Sequence, residues 1–367
     1  MHGGRAATGW RDSMNADTVH TDFGVPGVEL PVLAGWMDAA GLGHGPLRDI
    51  RAIGGGTQNI MVRFVRGARE FVLRRGPLHP RPTTNDNLRR EMQVLAALTS
   101  TEVPHARLIA TCPDESVLGE SAFYLMEPIN GFNATVELPS LHASDASIRY
   151  RMGLAAVDAL TTLSMVDYEA VGLASFGRPA GFLDRQVPRW LHELERYTAL
   201  NNYPGHGLPV ERVSEWLTRS RPTSGPVGIM HGDYHLANMM FSPDRPQVAA
   251  IVDWEMCTIG DPLLDLGWLL ATWPAPGERT DAIGSTLAAA GGLPTAHELV
   301  RRYSERTGFD VSAADWYTVL ACFKLGIILE GTYARSCAGL APAEVGARLH
   351  QSATALFARA LRIIDRN

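Results

Sequence analysis

Apolar positions along the chain change their period near residue 128. Before it, short alternating runs dominate. Leu30, Leu33, Trp36 and Met37 first fall at helical spacing and predict a helix over Glu29–Ala40. Gly41–Pro46 breaks it. Strands are then expected over Leu47–Ile53, Ile60–Val65 and Glu70–Arg74, with turns at Gly54–Asn59 and Arg66–Arg69. The proline-rich segment Gly76–Thr83 leads into a helix ending at Leu98, with Thr84 or Asn85 as its cap and Leu88, Glu91, Met92 and Leu95 nearly in register. Two further strands are expected near Arg107–Thr111 and Ala122–Glu127.

After Pro128–Asn133 the helical period takes over, across Ser144–Met165, Gly181–Leu200 and Val210–Arg219. Val227–Trp254 interrupts it with short apolar strands around polar residues. Helices resume at Pro262–Thr272 and run to about Ile364. The expected architecture is α+β and two-lobed. A tail over 1–28 precedes a small β-rich lobe over 29–127 and a larger helical lobe over 128–367. A cleft between two such lobes is a natural ligand site.

Composition narrows the chemistry. A length of 367 residues fits two lobes at about 150 residues per domain. A net charge of −6 gives no electrostatic footprint for nucleic acid. Cys112, Cys257, Cys322 and Cys337 are scattered without a C-x-x-C pair, which argues against disulfides or a cysteine-rich zinc site and for a reducing, cytoplasmic setting. No uncharged apolar run reaches the ~18 residues of a membrane span, and Met1–Asn15 lacks the apolar core of a secretory signal. Lys324 is the single lysine, so a Gly-Lys-Ser/Thr phosphate loop is excluded. In its apolar stretch, Ala321–Leu329, it reads as a helix residue whose ammonium snorkels to solvent.

The densest chemical signal is His231-Gly232-Asp233-Tyr234-His235-Leu236-Ala237-Asn238, followed by a strand ending in Asp253. Phosphoryl transfer needs a carboxylate to orient a hydroxyl, and oxygen ligands to hold Mg²⁺ against nucleotide phosphates. Asp233 can serve as the base, with Asn238 and Asp253 as metal ligands. Mg²⁺ takes few protein oxygens, so one amide and one carboxylate suffice. Taken singly, each residue also suits a turn or a strand end; the ensemble favours chemistry. His231 reads as a brace and His235 as loop support. Asp261-Pro262 reads as a helix start.

These stretches resemble the aminoglycoside phosphotransferase and choline-kinase-like family, relatives of the protein kinases. The resemblance is nearest to the phosphotransferase domains fused to some acyl-CoA dehydrogenases. It rests on Gly55-Gly56-Thr57-Gln58-Asn59, Phe71–Arg75, Arg90-Glu91, Phe123–Glu127, His231–Asn238 and Asp253–Gly267, in family order over most of the chain. It implies a protein-kinase-like fold binding ATP (or GTP) and Mg²⁺. By resemblance Asp233 matches the catalytic base, Asn238 and Asp253 the metal ligands, and Glu91 the helix glutamate paired with the phosphate-binding base of the third strand. That base is Arg74 here, where many kinases carry lysine. Arginine can chelate phosphate oxygens with a planar fork. Gly55, Gly56, Thr57, Gln58 and Asn59 would form the phosphate loop, with Gln58 where relatives often show serine. Glu127 and Ile129, in the connector, would meet the adenine edge. Asp265 resembles an aspartate that anchors the catalytic loop.

The expected activity is ATP-dependent phosphorylation of a small-molecule hydroxyl. Two other classes compete: a non-catalytic nucleotide-binding module, suggested by Arg74 and Gln58, and a metal-dependent hydrolase using His231, Asp233, His235 and Asp253. Aminoglycosides, macrolides, hydroxyacyl-CoA thioesters and other hydroxylated metabolites all fit the acceptor role. Trp190, Tyr203, Trp273, Tyr333 and Arg335 are candidate walls of the acceptor pocket. The sequence carries no signal of oligomeric state.

Overall fold

The five N-terminal strands alternate their side chains between two hydrophobic clusters. The computed structural model describes residues 25–54, 59–223, 225–274 and 285–367. Strands β1 (Arg48–Ala52), β2 (Ile60–Arg66), β3 (Arg69–Arg75), β4 (Leu108–Cys112) and β5 (Phe123–Met126) form an antiparallel sheet of order β1-β2-β3-β5-β4. Phe71, Leu73, Phe123 and Leu125 face one side, against Leu33 and Met37 of helix α1 (Leu30–Ala39). Their neighbours Val72, Tyr124 and Met126 face the other, against Leu88, Met92 and Leu95 of α2 (Thr84–Leu98). A period of two on the strands meets a period of 3.6 on the helix. Burying each large apolar side chain contributes roughly 2 kcal/mol.

Helix α2 lacks the expected side-chain cap. Thr84 Oγ1 instead accepts the Arg81 N–H, and Asn85 bonds the Glu120 carbonyl and the Ala122 amide. Asn85 thereby fastens the helix start to the approach of β5 rather than to its own first turn.

The C-terminal part is helical: α3 (Ser140–Ser144), α4 (Ala146–Ser164), α5 (Gln186–Tyr197), α6 (Val210–Arg219), α7 (Leu263–Thr272), α8 (Thr286–Ala290), α9 (Ala296–Thr307), α10 (Ala314–Cys337) and α11 (Ala343–Ile364). Helix α10 is apolar nearly all round and packs against α5, α6, α7 and α11, so it forms the core of this lobe. Among the described residues, no helix is long and apolar enough to cross a membrane.

Two small sheets break the helical run and carry the site. Strands β6 (Phe132–Asn133), β8 (Met239–Phe241) and β9 (Val248–Ile251) pair in the order β6-β8-β9. Strand β7 (Gly228–Met230) pairs with β10 (Thr258–Gly260), Met230 opposite Thr258. The loops 231–238 and 252–257 therefore leave neighbouring strands at the same edge.

Candidate active site

Strand β7 delivers His231 into a loop fixed from below. Gly232 has φ +86°, and a Cβ there would stand 2.4 Å from the Met256 carbonyl oxygen, so only glycine fits. Asp265, in the first turn of α7, accepts the His231 N–H at 2.6 Å and the Gly232 N–H at 2.9 Å. Burial pushes its carboxyl up to about 7, while those two amides and Lys324 pull the other way. The His231 ring bridges two backbone groups. Nδ1 takes the Asp233 N–H at 3.3 Å, so Nε2 is the donor to the Val252 carbonyl at 2.9 Å. Burial lowers the imidazole pKa and keeps the ring neutral. His231 is a brace, and Asp265 is the loop anchor.

Asp233 follows. One carboxylate oxygen lies 2.9 Å from Asn238 Nδ2 and the other 3.2 Å from His235 Nε2. Burial works to raise this carboxyl. The hydrogen bond of His235 outweighs it, with help from Lys324, and holds it at about 2. Asp233 is thus a carboxylate, the form a base requires. Asn238 Nδ2 also reaches the Asp233 carbonyl at 3.0 Å, which leaves Oδ1 as the accepting atom of that amide. The backbones of Asn238 and Val252 are joined at 3.0 Å, so Asn238, just before β8, and Asp253, just after β9, flank adjoining strands of one hairpin.

Asp253 is left-handed, at φ 69° and ψ 66°. That conformation costs a non-glycine residue of order 1–3 kcal/mol and tends to persist at functional sites. Its Oδ1 lies 3.3 Å from Arg74 Nη2. Arg74 also binds both carboxylate oxygens of Glu91 at 2.8 Å, and Tyr124 donates to Glu91 at 2.9 Å. The expected strand–helix pair is therefore formed. Glu255, two residues beyond Asp253, joins the group. Among the described residues, Glu91, Asp253 and Glu255 are the one set of His, Cys, Asp or Glu ligand atoms lying within 4.8 Å of one another. Burial and the charges of Asp253 and Glu91 push the Glu255 carboxyl up, so negative charge here exceeds what Arg74 neutralises. That excess, with an amide oxygen on Asn238, suits a hard divalent cation. The four residues of the hydrolase alternative do not converge in this way, and both His231 nitrogens already have backbone partners.

Other expected site residues are less concentrated. Gly55, Gly56, Thr57 and Gln58 lie outside the described residues. Asn59 lines a cavity of about 210 Å³ with His79, Arg81, Asn87, Glu91 and Glu255. Glu127 and Ile129 line another of about 340 Å³ at the connector; the Glu127 side chain pairs with Arg69, and its N–H binds the Arg107 carbonyl. Trp190 and Trp273 are buried core residues rather than pocket walls. Tyr203 instead donates to buried Glu330, and Tyr333 packs on His350.

Lys324 corrects an expectation. Its ammonium does not reach solvent; it is buried and donates to the Gly232 carbonyl at 3.0 Å. Sequence reading also missed Glu255 and Tyr124. Glu255 carried a signal, a second carboxylate one short turn from Asp253. Tyr124 carried none, because its role follows from cross-strand pairing with Arg74.

A small antiparallel sheet above a helical lobe, with polar loops meeting between them, defines a protein-kinase-like fold. The sequence profile of the phosphotransferase enzyme family matches residues 49–303, and the chain belongs to that family. Acyl-CoA dehydrogenase family member 10 of Mus musculus is 30% identical over 281 residues, covering 74% of this chain and 25% of that protein. Family member 11 of Homo sapiens is 29% identical over 290 residues, covering 77% and 36%. The chain thus spans only about a quarter to a third of these relatives. Among solved structures, a Ralstonia eutropha protein named for the aminoglycoside phosphotransferases is 28% identical with a TM-score of 0.75, covering 91% of this chain and 98% of that one. A thermostable mutant of aminoglycoside phosphotransferase APH(4)-Ia shares the fold at 14% identity and a TM-score of 0.59, covering 90% and 99%.

Proposed function

We propose that this protein transfers the γ-phosphoryl group of ATP (or GTP) to a hydroxyl of a small molecule. The observation that carries this reading is the Asp233–Asn238 hydrogen bond of 2.9 Å, on a loop hydrogen-bonded to the segment that bears Asp253. It joins a low-pKa carboxylate to the Asn238 amide, which a backbone bond ties to the segment of Asp253. Asp233 orients the acceptor O–H and takes its proton as the oxygen bonds to phosphorus. The bond from phosphorus to the bridging oxygen breaks, and the nucleoside diphosphate leaves. Asn238 and Asp253 would hold Mg²⁺, which neutralises phosphate charge when bound. Arg74, kept charged by Glu91 and Asp253 against the pull of burial, would face the phosphates. Its pairing with Glu91 supports the catalytic reading over a non-catalytic nucleotide-binding module.

A structural neighbour of the same fold bears on the ligand classes. A structure of the APH(4)-Ia mutant is a ternary complex with ADP and hygromycin B. The expected acceptor class here is hydroxylated metabolites or antibiotics. The test is release of ADP from Mg·ATP across a panel of both. Acceptor-dependent release, lost in Asp233→Ala, supports the proposal. No binding of Mg·ATP by the wild type would sink it.

A further inference from the structure

The sequence has one lysine, and the fold buries it beneath the loop that carries Asp233. Lys324 projects from α10 into a slot walled by two tryptophans. Its Nζ stands 4.4 Å from the Trp268 ring of α7 and 5.7 Å from the Trp190 ring of α5. Both faces can stabilise a cation. The ammonium donates to the Gly232 carbonyl at 3.0 Å.

That carbonyl is half of the peptide unit joining Gly232 to Asp233. The other half, the Asp233 N–H, points to His231 Nδ1 at 3.3 Å. The Gly232 N–H, one peptide earlier, is held by Asp265 at 2.9 Å. The plane that precedes the Asp233 Cα is therefore gripped at both edges. A fixed plane leaves only rotation about N–Cα to turn the Cα–Cβ bond, and so constrains where the carboxylate can be aimed.

Burying an ammonium is expensive, and an apolar side chain would fill a tryptophan-walled slot without that cost. The charges that face Lys324 show what offsets it. Asp265 on α7 and Asp233 on the loop attract the ammonium, and Arg189 on α5 opposes it. Burial draws the Lys324 pKa down to about 8, which still leaves the group mostly charged near neutrality.

We propose that Lys324 is the positioning residue of the catalytic loop. It fixes the 232–233 peptide plane through the Gly232 carbonyl. The functional half of this inference rests on the reading of Asp233 as the base.

A single lysine makes the test direct. Full-length protein labelled with ¹³Cε-lysine gives one lysine side-chain signal, whose titration reports Lys324 alone. The expected midpoint is near 8, falling by about half a unit or more in Asp233→Asn, because an attracting charge is removed. A midpoint near the ordinary lysine value, or one that Asp233→Asn leaves unmoved, overturns the proposal. The second arm uses Lys324→Met, read as ADP release from Mg·ATP with water or an accepting panel member. The expected result is a turnover lower by about 10- to 100-fold with an ATP Kd within about threefold of wild type. Wild-type turnover, or a loss of turnover matched by an equal loss of ATP affinity, overturns the proposal. If Lys324→Met does not fold, the lysine titration in wild type and Asp233→Asn decides alone. If the wild type never releases ADP while the two charges titrate as a coupled pair, the proposed function fails and the grip on the loop stands.

Discussion

Arg74 on β3 grips Glu91 on α2 with two hydrogen bonds of 2.8 Å, one to each carboxylate oxygen, while its Nη2 lies 3.3 Å from Asp253. One guanidinium thus ties sheet, helix and metal-side loop. Glu91 is only 2% exposed. Arg74→Met would strand that carboxylate without a cation, and removing one partner of a buried pair costs about 3–5 kcal/mol. Urea unfolding should show a loss of that order. Arg74→Lys keeps the charge but gives up the fork, so stability should fall less while the Kd for Mg·ATP rises about tenfold. Equal denaturation midpoints for Arg74→Met and wild type would contradict the pairing.

Asp233 separates catalysis from binding. Asp233→Ala should lower phosphoryl transfer by about 10²- to 10⁴-fold, the range of a lost general base, with Mg·ATP affinity largely kept. A variant with near-normal turnover would refute the assigned role.

The same carboxyl makes a pH prediction. Its folded pKa of about 2 lies below the ordinary 3.8, so its ionised form stabilises the fold above pH ~4. That contribution is lost as pH falls through about 2, and amounts to at most about 2 kcal/mol. Asp265 runs the other way: its carboxyl, raised to about 7, binds a proton in the fold at pH values where the unfolded chain has lost it. Its ionisation costs stability as pH rises from about 4 to about 7. Comparing wild type with Asp233→Asn cancels the Asp265 effect. The variant should lose less stability than wild type between pH 4 and 2 in calorimetric or fluorescence melts. Parallel acid profiles would show that the Asp233 carboxyl is not depressed.

Much of this arrangement was legible in the sequence because its signals are local. Phe71-Val72-Leu73 and Phe123-Tyr124-Leu125-Met126 alternate over one strand each, and the structure sorts those residues onto two faces accordingly. His231–Asn238 places the proposed base, the brace and the amide on one short loop, where spacing alone suggests proximity. Strands β6 and β10 are only two and three residues long, too short to show a period. Lys324 was misread for a different reason. Helix α10 is apolar on every side, so periodicity assigns no face to a charge within it, and only tertiary packing reveals the carbonyl it meets. Asn85 likewise looked like a cap because its partners, Glu120 and Ala122, arrive from another element.

Asp253 combines strain with a proposed ligand role, and the two can be pulled apart. A glycine accepts φ 69° at little cost, whereas aspartate pays for it. Asp253→Gly should therefore leave the nucleotide-free protein as stable as wild type or about 1 kcal/mol more so. Arg74 keeps Glu91 as its partner in that variant. The rise in Tm produced by Mg·ATP should vanish, because a carboxylate ligand is gone. A thermal-shift titration reads both quantities at once. An unchanged nucleotide-induced shift would remove Asp253 from the metal site.

Gly232 tests whether the loop's geometry, rather than its charges, limits turnover. An alanine there must hold φ near +86°, which costs roughly 1–2 kcal/mol, and its methyl would meet the Met256 carbonyl oxygen at 2.4 Å. The backbone has to shift, and the Gly232 amide and carbonyl then lose their places on Asp265 and Lys324. Asn238 and Asp253 are tied separately, through the Asn238–Val252 backbone bond. Gly232→Ala should therefore lower Tm by several degrees and cut turnover by about 100-fold, yet change the Mg·ATP Kd by less than about tenfold. Isothermal titration and ADP release, measured on the same preparation, separate these effects. A proportional loss of affinity and turnover would mean that the loop and the metal-bearing hairpin move as one body, and that the grip from below serves both.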